Sequence, residues 1–229
     1  MGENHMTPGR PMTRRAFLAD AGVLACGAAA LAGCGSTAGN AAGSAAADHS
    51  RAVTIAMSPT NEPDAGFDPC VAWGCGEHVH EPLIQSTLIV TDEDMNFVND
   101  LATGYSCSDD KLTWTFAIRG DAAFTDGVPL TAADVAFTIN TIRTARNAQA
   151  DLSMVTAAEA TDDAMVTISL AKPCNTLLYT LANVGIVPEH AYGDDYGQNP
   201  IGSGRYKLVQ WDRGQQVILE ANPDYYGDA

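Results

Sequence analysis

Fourteen consecutive residues, Asp68-Pro69-Cys70-Val71-Ala72-Trp73-Gly74-Cys75-Gly76-Glu77-His78-Val79-His80-Glu81, gather two cysteines, two histidines, two glutamates and one of the three tryptophans. Glu77, His78 and His80 are donor types that hold a divalent metal, and imidazole suits Ni, Zn or Cu. The histidines stand two apart, a spacing that sends them to different sides of a helix, so they chelate together only in a loop or strand. An exposed polar helix start is the competing reading of the same residues. Elsewhere no catalytic set assembles: there is no Gly-x-Ser-x-Gly, no His-Glu-x-x-His and no phosphate loop. Gly202-Ser203-Gly204 has the outline of a nucleophile turn, but no base can be nominated for it and its flanks fit a hairpin better. His190, close to Pro188, reads as an ordinary loop or helix-end residue. Asp92-Glu93-Asp94, Asp162-Asp163 and Asp194-Asp195 read as solvated turns.

The N-terminus is read as an address. Thr13-Arg14-Arg15-Ala16-Phe17-Leu18 sets two arginines before an apolar pair, and Ala21 to Gly33 follow with no charge and mostly small side chains. This resembles a twin-arginine export signal, with Met12 as its natural start. Leu31-Ala32-Gly33-Cys34 resembles a lipoprotein signal-peptidase site, at which Cys34 becomes the diacylated first residue. Two acyl chains suffice for stable anchoring, whereas one is marginal. Residues 35–50 are all small or polar and cannot bury enough surface to offset ordering entropy, which predicts a flexible tether over 34–50. The expected organisation is a signal over 1–33, the tether over 34–50, and a folded body over 51–229.

Cys70, Cys75, Cys107 and Cys174 then remain in the body. Outside the cell they can form two disulfides in any of three connectivities. The local pair Cys70–Cys75 is favoured, which leaves Cys107–Cys174; four buried free thiols is the alternative. A lone Cys-x4-Cys is not a zinc signature.

Twenty-eight acidic side chains against 12 basic give a formal charge of −16, with 46% of residues apolar and 17% charged. That balance excludes a wholly disordered chain and argues against unaided binding to nucleic acid or an anionic membrane. Downstream of the N-terminal region, no run of 18 or more uncharged apolar residues suggests a membrane span.

The elements that must position these residues follow from periodicity. Val53-Thr54-Ile55-Ala56-Met57 predicts a strand ended by Ser58-Pro59. Residues 76–86 are expected to form the first helix, with Leu83, Ile84 and Leu88 on its buried side and Pro82 near its first turns. Leu112, Trp114, Phe116 and Ile118 alternate with Thr113, Thr115 and Ala117, as in a half-buried strand. Asp126-Gly127 predicts a turn. Thr131 with Asp134 is close to a capping box for a helix whose inner face is Val135, Ile139 and Ile142. A strand over 165–170 ends at Lys172-Pro173, and Leu177 to Leu181 make a short helix. Tyr206–Trp211 and Gln216–Glu220, joined by Asp212-Arg213-Gly214, read as a hairpin. The order is mixed α/β with no βαβ repeat, which argues against a simple doubly wound sheet.

Several strings together resemble the extracytoplasmic solute-binding proteins of the peptide/nickel type, family 5. They are Asp100-Leu101-Ala102; Ser108-Asp109-Asp110-Lys111-Leu112-Thr113-Trp114-Thr115-Phe116; Arg119; Phe124-Thr125-Asp126-Gly127; Pro129-Leu130-Thr131-Ala132-Ala133-Asp134-Val135; Val187-Pro188; Gly202-Ser203-Gly204-Arg205-Tyr206; and Asn222-Pro223-Asp224-Tyr225-Tyr226-Gly227. Their expected roles are turns, one strand and a capped helix, so they mark a fold and leave the ligand open. The family usually carries Pro where Arg205 stands, so that turn loses a fixed φ and gains a charge.

The resemblance implies a type II periplasmic-binding-protein clamshell, of which residues 51–229 would be most of the N-terminal lobe, with the second lobe absent from this sequence. It also implies that the loop after the first strand lines the cleft, which makes Trp73, Gly74, Cys75, Glu77, His78 and His80 the candidate ligand contacts. Trp73 would supply a flat apolar wall, and Gly74 and Gly76 would allow close backbone approach. By the same resemblance the protein is not an enzyme and needs no cofactor. It would work as a monomer that captures short peptides, or alternatively nickel or a metal chelate, and docks its closed form on an ABC permease with its ATPase subunits. Rivals from other classes are an exported hydrolase acting through Ser203 and an adhesion lipoprotein.

Overall fold

A computed structural model describes residues 66–71, 82–145, 148 and 150–227. The expected strand over 53–57, the export signal with Arg14 and Arg15, Cys34 and the tether lie outside the described residues.

Two short strands, β1 (Ile89–Thr91) and β2 (Phe97–Asn99), pair antiparallel around a tight turn. The Asp92 carboxylate makes that turn, accepting from the Asp94 and Asn96 amides at 3.0 and 2.8 Å. Strands β3 (Ala102–Cys107), β4 (Thr113–Ile118), β5 (Val155–Asp162) and β6 (Met165–Leu170) form one antiparallel sheet in the order β3-β4-β6-β5. With every pairing antiparallel, the expected absence of a doubly wound arrangement holds for the described strands.

The alternation in β4 is realised on one face. Phe116 is fully buried, Ile118 nearly so, and Trp114 half-buried beside them. Val166, Ile168 and Leu170 of β6 continue that face. Helix α1 (Ala132–Thr144) covers it with Val135, Ile139 and Ile142, all inside the same apolar cluster. Removing such side chains from water contributes roughly 1.5–3 kcal/mol each, enough to fix which face of the sheet turns inward.

α1 starts where its capping box predicts. The Thr131 amide donates to Asp134 Oδ2 at 2.9 Å, and Asp134 Oδ1 accepts from the Glu189 amide at 3.0 Å. The box thus also ties a distant segment to the helix start. Thr138 donates to the Asp134 carbonyl and accepts from the Val187 amide at 3.1 Å, a second tie to the same segment.

α2 (Leu177–Leu181) follows β6 and buries Leu177 and Leu181, and Glu189–Ala191 form a single 3-10 turn. β7 (Tyr206–Asp212) and β8 (Gln216–Ala221) make the expected hairpin, with Gly214 at φ +73° in its turn. Among the described residues, no helix is long and apolar enough to cross a membrane.

The first helix expected over 76–86 is corrected where it can be seen. Residues 82–86 are bends and irregular backbone. The Leu83 and Ile84 carbonyls accept from the Tyr206 and Gly204 amides at 3.1 and 2.8 Å, and the Ser86 carbonyl from Ile186 at 2.9 Å. Carbonyls engaged by two passing segments cannot serve an i→i+4 ladder. Ile84 and Leu88 are buried as expected, but Leu83 is 48% exposed.

Candidate functional site

The candidate contact residues Trp73, Gly74, Cys75, Glu77, His78 and His80 lie outside the described residues, while the stem of their loop, 66–71, lies inside. Gly66 opens the stem at φ +76°, where an added Cβ would meet the Gly197 carbonyl oxygen at 2.1 Å. Only glycine fits so close an approach. The Phe67 amide donates to that carbonyl at 2.8 Å, and the Phe67 ring meets Trp211 edge-on at 5.1 Å between centroids.

Beyond it, Asp68 closes a turn by accepting the Cys70 amide on Oδ1 at 2.8 Å. Its Oδ2 accepts from the Tyr192 hydroxyl at 2.9 Å. Gln85 donates to the Phe67 carbonyl at 3.0 Å and to the Tyr196 hydroxyl at 3.1 Å, and Tyr196 donates onward to the Ile201 carbonyl at 2.7 Å.

Burial sets the electrostatics of this plug. Desolvation pushes the Asp68 carboxyl above its usual range, against the opposing hydrogen bonds from Cys70 and Tyr192. Burial, and next the Asp68 charge, push the Cys70 thiol up to about 12. Tyr192 and Tyr196 are also raised, first by burial. The hydrogen bonds of this cluster hold the loop stem. Asp68 sat inside the string that drew attention in the sequence; Tyr192, Tyr196 and Gln85 did not, because their partners are 18 to 124 residues away.

Of the expected disulfides, Cys70–Cys75 involves a residue outside the described set, and Cys70 is a buried free thiol. Cys107 and Cys174 are not joined. Each is a separate, half-buried thiol, and Cys174 Sγ lies 3.4 Å from Thr176 Oγ1. Among the described residues, no group of three or more His, Cys, Asp or Glu side chains could hold a metal.

Ser203 is fully buried, with its hydroxyl accepting from the Ser86 amide at 3.4 Å while Ser86 Oγ donates to the Ser203 carbonyl at 2.9 Å. His190 lies in the 3-10 turn, and its Nε2 stands 2.7 Å from Asp126 Oδ2, tying that turn to the Asp126-Gly127 turn. Concavities occur among the described residues. An open groove of about 530 Å³ runs along α1 and β5, and a space of about 10 Å³, enough for one water, lies between Ser86, Thr87, Asp100 and Gly204.

The strings that carried the resemblance meet as joints. Asp100 accepts from the Tyr226 hydroxyl at 2.7 Å and from the Thr87 amide at 3.2 Å. Arg119 lies over the Tyr226 ring at 4.0 Å and forks onto Asp121 at 2.6 and 2.9 Å. Gly202 and Gly204 press against the Ile84 and Leu83 carbonyls, and the Thr125 amide donates to Gly202 at 2.8 Å. Arg205, in the place of the usual Pro, lies over the Tyr225 ring at 4.9 Å.

Comparison with known proteins agrees with this geometry. The sequence profile of the bacterial extracellular solute-binding proteins, family 5 (middle region), matches residues 96–229. A probable D,D-dipeptide-binding periplasmic protein of Escherichia coli is 36% identical over 144 residues, which cover 56% of this chain and 27% of that protein. A putative ABC transporter peptide-binding protein of Brucella ovis is 34% identical over 160 residues, 64% of this chain and 29% of that one. Among solved structures, Campylobacter jejuni NikZ in complex with Ni(L-His) is similar with a TM-score of 0.67 and 29% identity over 74% of this chain and 36% of its own. The Bacillus subtilis oligopeptide-binding protein AppA, in complex with a nonapeptide, gives 0.57 and 29% over 63% and 31%. The chain therefore spans about a third of the length of the proteins it matches. With its strings converging on one set of joints and the profile covering more than half of its residues, the chain belongs to the bacterial extracellular solute-binding proteins, family 5.

Proposed function

We propose that this chain belongs to the substrate-binding component of an ABC importer that captures short peptides outside the cytoplasmic membrane and hands them to the permease and its ATPase subunits. The family membership carries this reading, supported by relatives whose names specify peptide binding. In this reading Trp73, Gly74, Cys75, Glu77, His78 and His80 line the ligand side of a two-lobed clamshell, standing on the stem plugged by Asp68, Tyr192 and Tyr196. Ligand bridging the lobes shifts an open–closed equilibrium toward the closed form that the permease accepts. Residues 1–33 act as the export signal, Arg14 and Arg15 direct it, Cys34 carries the lipid, and residues 34–50 form the tether. The protein acts as a monomer and not as an enzyme; Ser203, buried and bonded to Ser86, is closed to any substrate.

A second reading, capture of nickel or a metal chelate, is favoured by the likeness to the Ni(L-His) complex of NikZ and by the donor types at Glu77, His78 and His80. Uptake separates the two. In cells lacking the gene, uptake of labelled di- and tripeptides is expected to fall while nickel uptake stays level; the reverse pattern overturns the peptide assignment. Cys34→Ala is expected to release the protein from the membrane fraction, and retention there would refute the lipid anchor.

A further inference from the structure

We propose that the side chain of Asn140 stands in for a neighbouring strand, closing the β5 edge of the four-stranded sheet and preventing edge-to-edge pairing with a second copy of this chain. Among the described residues β5 is the last strand in the order β3-β4-β6-β5, so one side of its backbone faces away from the ladder. An edge strand presents unpaired N–H and C=O groups, a ready template for another chain.

Bulges disrupt β5 at both ends, between Val155 and Ala157 and between Ala160 and Asp162. They bend the strand and spoil pairing there. The regular stretch left between them is Ala157–Ala160, and Ala158 is the residue at which the outward backbone groups are engaged from outside the sheet. Asn140 Nδ2 donates to the Ala158 carbonyl at 2.7 Å, and the Ala158 amide donates to Asn140 Oδ1 at 3.2 Å. One primary amide thus makes both bonds that a neighbouring strand would make there. Its orientation is fixed from the helix itself, because Arg143 Nε donates to the same Oδ1 at 2.8 Å. An oxygen accepting from two N–H donors while the nitrogen meets a carbonyl satisfies every partner, and the flipped amide satisfies none.

A second copy is the occupant that the edge fits once Asn140 is gone. Two β5 edges related by a two-fold axis pair antiparallel, and the interface is self-complementary by symmetry. Ala157, Ala158 and Ala160 carry small side chains, and Glu159 is the one long side chain in the regular stretch. The groove of about 530 Å³ that runs along α1 and β5, with Asn140 and Ala158 in its lining, leaves room beside the edge.

The experiment compares the full chain with its Asn140→Ala and Arg143→Ala variants, reading amide hydrogen exchange at Ala158 by NMR and mass by light scattering across a concentration series. Asn140→Ala is expected to exchange Ala158 about tenfold faster when dilute, the factor for losing one hydrogen bond of ordinary strength. At high concentration it is expected to dimerise and regain Ala158 protection. Arg143→Ala, which leaves the amide in place but unheld, is expected to raise Ala158 exchange severalfold and keeps the test open if the first variant does not fold. Unchanged Ala158 exchange in the folded variants, or an Asn140→Ala chain that stays monomeric at every concentration, overturns the proposal.

Discussion

An added Cβ at Gly202 would stand 2.0 Å from the Ile84 carbonyl oxygen, and that carbonyl is already bonded to the Gly204 amide, so neither backbone can retreat cheaply. Gly202→Ala should therefore cost about 1–3 kcal/mol, the usual range for overpacking, whereas Gly104→Ala, with nothing within 4 Å, should shift a urea midpoint little. At the loop stem, the raised thiol pKa of about 12 predicts that Cys70 is alkylated last at pH 8, well after Cys107 and Cys174, as read by peptide mass after timed iodoacetamide. Equal rates for the three would contradict the burial of Cys70. Asp68 gives a pH dependence with a definite sign. Its folded pKa is raised, so the folded chain holds its proton longer than the unfolded one, and stability falls as pH rises from the ordinary carboxyl range through the folded value. Against Asp68→Asn, which cannot ionise, the natural chain should thus lose relative stability as the pH rises above the ordinary carboxyl range in urea titrations. A difference that is flat with pH would mean the carboxyl is not desolvated.

At the scale of elements, Asp134 does two jobs with one carboxylate, capping α1 at Thr131 and fixing the Glu189 segment. Asp134→Ala should cost more than a lost cap alone, about 2 kcal/mol, because the Glu189 amide also loses its acceptor; thermal unfolding checks it, and a loss below ~0.5 kcal/mol would contradict the double role. What was legible in sequence follows the same logic. α1, β4, β6, α2 and the β7–β8 hairpin were readable because cap, alternation and turn signals lie within a few residues of each other. The helix expected over 76–86 is not formed in its described part, 82–86, since its carbonyls answer to Gly204, Tyr206 and Ile186, a hundred or more residues on. β1, β2 and β3 carried no clean alternation, and the charged or hydroxyl-rich β5 is defined by its partner β6 and by Asn140. Of the site, the local string around Asp68 and Cys70 was visible. Tyr192, Tyr196 and Gln85 were not, because nothing local marks a residue whose partner comes from another part of the chain. The Cys107–Cys174 pairing, reached by elimination, failed for the same reason.

At the scale of the molecule, the family strings act as joints, with Asp100, Arg119 and Tyr226 at one and Gly202, Gly204 and Ile84 at another. They hold a frame, and a frame of this kind serves peptide and metal-chelate binders alike, as the likeness to both NikZ and AppA shows. In the function proposed above, ligand choice rests on contact residues such as those around Trp73. The most direct test of the account is native mass spectrometry of the protein isolated undenatured from its own cells, before and after adding di- and tripeptides at millimolar concentration. The account predicts adducts whose fragmentation yields short peptides, displaced or augmented by the added ones. A single nickel-histidine adduct would contradict the peptide assignment, and no small-molecule adduct under either condition would contradict ligand capture itself.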